Sequence, residues 1–322
     1  MKLKTKILYA ALGSTMLAGS AVAEEYPTRS IDMIVAYSAG GGTDVAARTL
    51  VPFIEENLPG DATINVVNRP GAGGEVGFTA LANAEPDGYT FGFVNLPNLL
   101  SIPIQRDTDY DLSSFQPIAD IVYDPGGFGA SADAEFDDLE SLVEYAEDKS
   151  GPVTYGTTGI GSDDHLSTLA FARQADIEMR HIPFDGAADV RAALMSGEID
   201  LAGTNVSELV DYADSGDIAI LGQMAEERWD GAPDVPTFQE QGFDVVMGSD
   251  RGLAAPAGFP EDALSTLEKA VEEAVSDPEF LEKAEEQNLP LSYMDSEEFG
   301  EKLERMNENI QELWEEQPWV EE

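Results

Sequence analysis

The sequence predicts an α/β protein of two lobes, each built from parallel strands flanked by helices. Short apolar runs typical of buried strands alternate with segments whose apolar residues recur at helical spacing, and short glycine-containing loops connect them. This alternation occurs twice, over about residues 24–122 and again over about residues 130–245. The chain has 322 residues, of which 43% are hydrophobic, so it is long and apolar enough for two cores.

The first half begins with a strand, a glycine loop and a helix. An apolar run at 31–36 is followed by Gly40-Gly41-Gly42 and Thr43-Asp44, after which apolar residues recur at helical spacing through Ile54. The next predicted elements are a strand at 64–67, a loop at 68–74, a helix at 76–84, a turn at 86–88 and a strand at 89–94.

The second half repeats this pattern and ends in helices. Its predicted helices are 139–146, 165–171 and 188–195, and its predicted strands are 153–155, 180–182, 199–202 and 218–221. In the last third, Asp277-Pro278 is typical of a helix start, and the apolar stripe over 299–313 lasts only about two heptads. A stripe that short favours a single helix packed on its own domain over a coiled coil.

The N-terminal 23 residues have the pattern of a secretory signal. Three lysines at positions 2, 4 and 6 precede a short apolar run, and Ala21-Val22-Ala23 is typical of a cleavage site. Polar residues interrupt the apolar run before it reaches the ~20 residues of a membrane span. We therefore expect cleavage after Ala23 and a soluble protein exported to a bacterial periplasm.

The charge of the chain excludes several classes of partner. It has 17 basic and 63 acidic residues and a net charge of -46, so binding to nucleic acid or to an anionic membrane surface is not expected. The acids are spread over the whole chain, which is typical of a surface adapted to high salt. Without Cys and with only His165 and His181, neither a metal centre nor a cofactor is predicted.

Two glycine loops at predicted helix starts are the candidate binding elements. Backbone N–H groups at the positive end of a helix bind an anion without a basic side chain, and the loops 38–43 and 159–162 each offer this geometry, one per lobe. For either loop alone, an ordinary strand-to-helix turn remains the alternative. The first lacks the Lys-Ser or Lys-Thr of a nucleotide-binding P-loop, and the loop at 71–77 lacks the third glycine of a dinucleotide site.

A hydrolase is the alternative enzymatic interpretation. Ser162 and His165 lie three residues apart at a helix start, but Ser162 is not in the Gly-x-Ser-x-Gly elbow of a nucleophile. The sequence therefore favours a binding protein that is not an enzyme.

An ordered series of short motifs resembles the periplasmic substrate-binding proteins of tripartite tricarboxylate transporters, the Bug-type family. The series spans the whole expected mature chain, from about residue 26 to 320. The matching segments are Ala39-Gly40-Gly41-Gly42-Thr43-Asp44, 68–74, 86–90, 159–162 with His165-Leu166, 181–184, 197–200, 233–237 and 255–258.

This resemblance implies the type II-like fold of periplasmic binding proteins, with a central cleft between two lobes joined by two crossing strands. It places 24–122 plus 250–322 in lobe 1 and 123–249 in lobe 2. It also implies a small organic carboxylate as ligand, delivery to the membrane permease subunits of the transporter, and no chemistry. A monomer is expected, and a sensor subunit that presents its ligand to a membrane kinase remains open.

The predicted ligand-binding residues combine the family's main-chain contacts with neighbouring side chains. By resemblance, main-chain N–H groups of both glycine loops hold the ligand carboxylates, often through water. The full predicted set is Tyr37, Ser38, Ala39, Gly40, Gly41, Gly42, Thr43, Asp44, Gly159, Gly161, Ser162, His165, Phe184 and Asn205. Asp44 is expected to cap or brace its loop rather than to touch an anion, and a contact with an amine or hydroxyl of the ligand is the alternative.

Two departures from the family's pattern affect the expected ligand. Ser38 stands where the family commonly has Pro, and Asp185-Gly186-Ala187 stands where it commonly has Lys-Gly-Gly. The second change removes a positive charge near the cleft, which favours a mono- or dicarboxylate over a tricarboxylate. Few basic residues fall in the motif loops, so an arginine clamp on the ligand is not expected.

Overall fold

The computed structural model describes residues 26–320, in which strands and helices alternate over most of the chain. The predicted export signal and its cleavage site after Ala23 lie outside the described residues. Among the helices of residues 26–320, none combines the length and the apolar character that crossing a membrane requires.

The described part of the chain contains ten strands and ten α-helices. The strands are β1 Ile31–Val35, β2 Ile64–Asn68, β3 Thr90–Leu96, β4 Phe115–Ser131, β5 Val153–Thr157, β6 Met179–Pro183, β7 Leu201–Asn205, β8 Ile218–Gln223, β9 Gly248–Pro256 and β10 Leu291–Met294. The helices are α1 Gly42–Asn57, α2 Glu75–Ala82, α3 Asn98–Gln105, α4 Leu139–Asp148, α5 Asp163–Ala175, α6 Ala187–Ser196, α7 Val210–Asp214, α8 Glu261–Val275, α9 Pro278–Glu286 and α10 Ser296–Glu316.

Two sheets with parallel strands are joined through the antiparallel pair β4 and β9. In the first sheet β1 lies between β2 and β3, and in the second β5 lies between β6 and β7. The first part of β4, residues 115–125, pairs with β9, and its last part, residues 126–131, pairs with β7 and β8. The chain returns to the first sheet at Gly248, where β9 begins. This topology confirms the predicted α/β class with two crossing strands.

The C-terminal helices pack on the first sheet. Leu267 and Val271 of α8 and Phe280 of α9 share one apolar cluster with the buried face of α1, while Phe299 and Leu303 of α10 belong to the cluster on the opposite face. Each helix has its apolar residues on one stripe, so the burial of that stripe fixes its position. The sequence prediction of single amphipathic helices packed on their own domain agrees with this arrangement.

The second sheet has its own apolar clusters and also touches the first lobe. Phe128, Tyr155 and Phe171 form the centre of one cluster, and Val190 and Leu209 belong to the other. In addition, Leu166 of α5 shares a cluster with α3 of the first sheet. The two lobes are therefore in contact across the cleft.

Candidate functional site

A small polar cavity lies between the lobes, beside the crossing strands. The volume open to the centre of a water molecule is about 20 Å³. The cavity therefore has room for about one water. The cavity is lined by Tyr37, Gly41, Gly42, Thr43, Asn95, Asn98, Thr158, Asp163, Ala187, Asn205, Glu208, Ser249 and Arg251. Both lobes contribute, so the cavity is the candidate binding site.

The first glycine loop connects β1 to α1 and presents the start of that helix to the cavity. Gly40 has a φ of 81°, which favours glycine. The Asp44 carboxylate accepts hydrogen bonds from the Gly40 N–H and the Asn68 side chain, each at 2.9 Å, and pairs with Arg48. These bonds lower the pKa of Asp44 although burial alone would raise it. Asp44 thus braces the loop from outside the cavity.

The second glycine loop fastens lobe 2 to lobe 1. The Ser101 hydroxyl of α3 donates to the Gly161 carbonyl at 2.7 Å, and a Cβ added at Gly159 would lie 2.6 Å from the Cα of Gly73. Only glycine permits so close an approach of the two backbones. The loop residues 159–162 do not line the cavity, which is instead reached by the flanking Thr158 and Asp163.

Ser162 and His165 do not form a nucleophile and a base. The Ser162 hydroxyl caps α5 by accepting from the His165 backbone N–H at 3.1 Å, and the His165 Nδ1 accepts from the Gly161 N–H at 3.1 Å. His165 also stacks on His181 with 4.3 Å between ring centroids. Burial and the His181 ring together lower the pKa of His165 to about 3. Both side chains are used structurally, which argues against the hydrolase alternative.

Arg251 is the one cation that lines the cavity among the described residues. This side chain on β9 is 2% exposed, and its Nη2 donates to the Asn205 amide oxygen and forms an ion pair with Asp124, each at 2.9 Å. Its Nε and Nη1 have no hydrogen-bond partner among residues 26–320. A Cβ at Gly42 would lie 2.6 Å from the guanidinium carbon, so the missing side chain makes room for this group. An arginine therefore lines the cavity, although the sequence led us to expect no arginine clamp on the ligand.

Four acids surround this cation. Asp124, Asp163 and Asp164 are buried, and the side chain of Glu208 is 6% exposed. Burial raises the pKa of Asp124 to about 6, and the nearby Glu208 adds to the shift although Arg251 opposes it. Burial also raises the pKa of Asp163 to about 7 and that of Asp164 well above its usual range. The cavity region thus has more acidic groups than its single guanidinium can compensate.

Glu208 places a carboxylate at the start of α1. It follows β7 in lobe 2, and its Oε1 accepts from the backbone N–H of Gly42 in lobe 1. The same oxygen lies 3.8 Å from the Arg251 Nη2. A helix N-terminus next to a cation is a strong anion site, and here a carboxylate of the protein itself lies in it.

Amide side chains complete the lining. Asn205 donates to Asp163 at 2.7 Å while its oxygen accepts from Arg251, so it links an acid to the cation. Asn95 of β3 donates to the Thr43 hydroxyl at 2.8 Å, but its Oδ1 has no partner among residues 26–320.

Tyr37 also lines the cavity. Its hydroxyl donates to the Gly73 carbonyl at 3.3 Å, and burial raises its pKa well above the usual value.

The predicted site residues fall into three groups. Five of them line the cavity: Tyr37, Gly41, Gly42, Thr43 and Asn205. Ser38 and Phe184 line an outer groove, where the Ser38 hydroxyl donates to Asp189 at 2.8 Å, and Gly40 lines a separate groove beside Glu208. The others do not line the cavity: Ala39, Asp44, Gly159, Gly161, Ser162 and His165.

Sequence reasoning missed the charged residues of the cavity. Asp163, Glu208 and Arg251 all line it. Acids are uninformative in a chain that has 63 of them, but Arg251 had a usable signal. Asp250-Arg251 stands immediately before the apolar run 252–257, and charged residues at the start of a buried strand must be paired or functional.

No metal site accompanies these acids within residues 26–320, where no group of three or more His, Asp, Glu or Cys side chains is arranged to hold an ion.

Two lobes joined by two strands, with a polar cavity between them and helix starts directed at it, are typical of a solute-binding protein. Comparison with known proteins gives the same class. The chain is similar to a UPF0065 protein of Bordetella pertussis, with 32% identity over 85% of this chain and 84% of the relative. It is also similar to a UPF0065 protein of Cupriavidus necator, with 29% identity over 91% of this chain and 88% of the relative.

Solved structures have the same fold. The structure of the periplasmic binding protein BugD superposes with a TM-score of 0.85 and 26% identity, covering 90% of this chain and 98% of BugD. The model of the tripartite tricarboxylate transporter family receptor matches residues 47–313. The chain belongs to this family of receptors. It is a solute-binding protein and not an enzyme.

Proposed function

We propose that this receptor binds a small organic mono- or dicarboxylate in the cavity between its lobes and delivers it to the membrane permease subunits of a tripartite transporter. The observation that carries the ligand class is Arg251, a buried guanidinium beside the start of α1 whose Nε and Nη1 have no hydrogen-bond partner in the described part of the chain. A guanidinium next to a helix N-terminus is suited to a carboxylate. The family's name supports the same ligand class.

The carboxylate site requires a conformational change before a ligand can enter. The cavity has room for about one water, and Glu208 occupies the N–H of Gly42. We propose that the lobes separate in the open state, which moves Glu208 of lobe 2 away from Gly42 of lobe 1. The ligand carboxylate then takes the position at Gly42 and Arg251, and the lobes close around it.

The lobe boundaries proposed for this motion are those expected from the sequence, and the apolar clusters that lie within one lobe support them. Residues 24–122 plus 250–322 form one body and 123–249 the other, with the connections at β4 and the entry to β9. The exported location, cleavage after Ala23, a monomeric state and the contact with the permease complete the proposal. They rest on the sequence pattern and on the family.

A thermal-shift screen in molar salt tests the ligand class. Binding to the folded state raises stability by RT ln(1 + [L]/Kd), so a ligand at a hundred times its Kd adds about 3 kcal/mol. We expect carboxylic acids to raise the melting temperature of the mature protein, and neutral sugars to leave it unchanged. Shifts produced only by sugars, by amines that lack a carboxylate, or by metal ions would contradict the proposal.

A further inference from the structure

Two side chains of the cavity between the lobes have polar atoms without a hydrogen-bond partner among residues 26–320. The Nε and Nη1 of Arg251 can each donate to an acceptor, whereas the Oδ1 of Asn95 can accept from a donor. Both side chains are at least nine-tenths buried, and both line the same cavity. Buried polar atoms without partners are costly, so this pair marks two chemically different positions for one ligand.

The charges of the cavity also divide into two kinds. Arg251 is the single cation of the lining among the described residues, and it is already paired with Asp124 behind it. The lining includes two acids, Asp163 and Glu208, which share this one guanidinium with Asp124. At a pH above the raised pKa of Asp163, about 7, a second carboxylate on the ligand would face the ionised Asp163 as well as Glu208 in a largely buried site, where repulsion between like charges is strong.

We propose that the preferred ligand has a protonated amine in addition to its carboxylate, so that this receptor selects amino-carboxylates over simple dicarboxylates. The carboxylate lies against Arg251 and the Gly42 N–H. The ammonium group donates to the Asn95 Oδ1 and to Asp163, which supplies the missing donor and the missing positive charge together. This inference rests on the carboxylate site proposed above and adds the second position.

Matched pairs of ligands that differ only by an amine provide the test. The pairs are propionate and alanine, succinate and aspartate, and glutarate and glutamate, each measured by thermal shift and then by calorimetric titration. A hydrogen bond to a charged group contributes about tenfold or more in affinity. We expect the aminated member of the best-binding pair to bind at least about tenfold more tightly than its amine-free partner.

The outcomes separate this inference from the proposed function. If the amine-free acids bind as tightly as the amino acids, the amine position is wrong and the carboxylate receptor stands. If no member of any pair binds, both proposals fail. Ethylamine serves as the amine without a carboxylate, and binding of ethylamine alone would contradict the carboxylate site itself.

Variants of the amine position give a second readout. Asp163→Asn keeps the shape and an acceptor for Asn205 but removes the charge, and Asn95→Leu removes the unpartnered oxygen. Each is expected to reduce the ratio between the affinities for the aminated ligand and for its amine-free partner by about tenfold.

Asp200→Asn is the matched control, because Asp200 braces Thr154 and does not line the cavity. Melting curves establish that each variant is folded. An undiminished preference in both cavity variants would overturn the inference, and so would an equal loss in the Asp200 variant.

Discussion

Replacing Asp163 by Asn should change how the stability of the protein depends on pH. Burial raises the pKa of this carboxyl to about 7, against about 3.9 in an unfolded chain. Between these two values the folded state holds a proton that the unfolded state has released. The stability contributed by Asp163 is therefore greatest in acid and decreases as the pH rises toward 7. Asn does not ionise, so the stability of the Asp163→Asn variant lacks this decrease as the pH rises toward 7.

The size of the effect follows from the width of that window. Each pH unit well inside this window is worth about 1.4 kcal/mol, and less near pH 7, where the carboxyl is half ionised, so raising the pH from 5 to 7 costs the wild type about 2 kcal/mol. For a chain of this size 1 kcal/mol corresponds to about 2 °C in melting temperature. The variant should gain on the wild type by about 4 °C over this range. At pH 5 the two should be similar, since the acceptor for Asn205 is kept.

The assay is thermal unfolding by circular dichroism from pH 5 to pH 8 in molar KCl, which screens the acidic surface. Asp200→Asn is the control, and its effect on stability should depend on pH in the opposite direction. Burial alone would raise the pKa of Asp200, but hydrogen bonds from Lys149 and Thr154 lower it. Its loss should destabilise at neutral pH, and the effect should fade in acid. A difference between wild type and Asp163→Asn that does not change with pH would refute the reasoning.

Three further predictions concern the loop, the serine and the surface. Gly42→Ala places a Cβ 2.6 Å from the Arg251 guanidinium and should weaken carboxylate binding about tenfold or more. Gly300→Ala on α10 is the control and should leave binding unchanged, because its new Cβ makes only an ordinary contact with Pro117. Ser162→Ala should cost about 1 kcal/mol in stability through the lost helix cap, and an esterase activity that disappears in this variant would show that the receptor assignment is wrong. Stability should increase with KCl up to molar concentrations without preference for divalent ions, and saturable stabilisation by micromolar Ca²⁺ at fixed ionic strength would contradict a salt-adapted surface.

The strand–loop–helix units could be predicted because their signals are local. At β1, the glycine loop and α1, apolar periodicity and glycine stand next to each other in the sequence. The capping position expected at Thr43-Asp44 is wrong, because α1 already begins at Gly42 and Gly41 is its N-cap. Small shifts remained, as at β7, where the structure has Leu201–Asn205 and the sequence predicts 199–202.

The elements without a prediction depend on partners that are distant in the chain. β4 contains Pro117, Pro125 and three glycines, which are turn residues by local propensity. Pairing with β9, β7 and β8 holds this segment extended. The sequence did not predict α3 because Pro103 lies inside it, and proline disfavours a helix interior by local propensity.

The candidate site also has one part that the sequence predicts and one part that it does not. Backbone elements of the site are marked by glycine, so the start of α1 was predicted and does line the cavity. The side chains that give the cavity its charge come from three separate elements, and only the fold brings Asp163, Glu208 and Arg251 together. Their roles follow from tertiary contacts that no local pattern records.

Titration calorimetry of an Arg251→Gln variant tests the central claim most directly. The carboxylate with the largest thermal shift is titrated into the wild type, into Arg251→Gln and Arg251→Lys, and into the surface control Arg29→Gln. We expect one site per chain, a loss of about tenfold to a hundredfold in affinity for Arg251→Gln, a smaller loss for Arg251→Lys, and none for the control. Equal affinity in the wild type and in a folded Arg251→Gln variant would contradict the account.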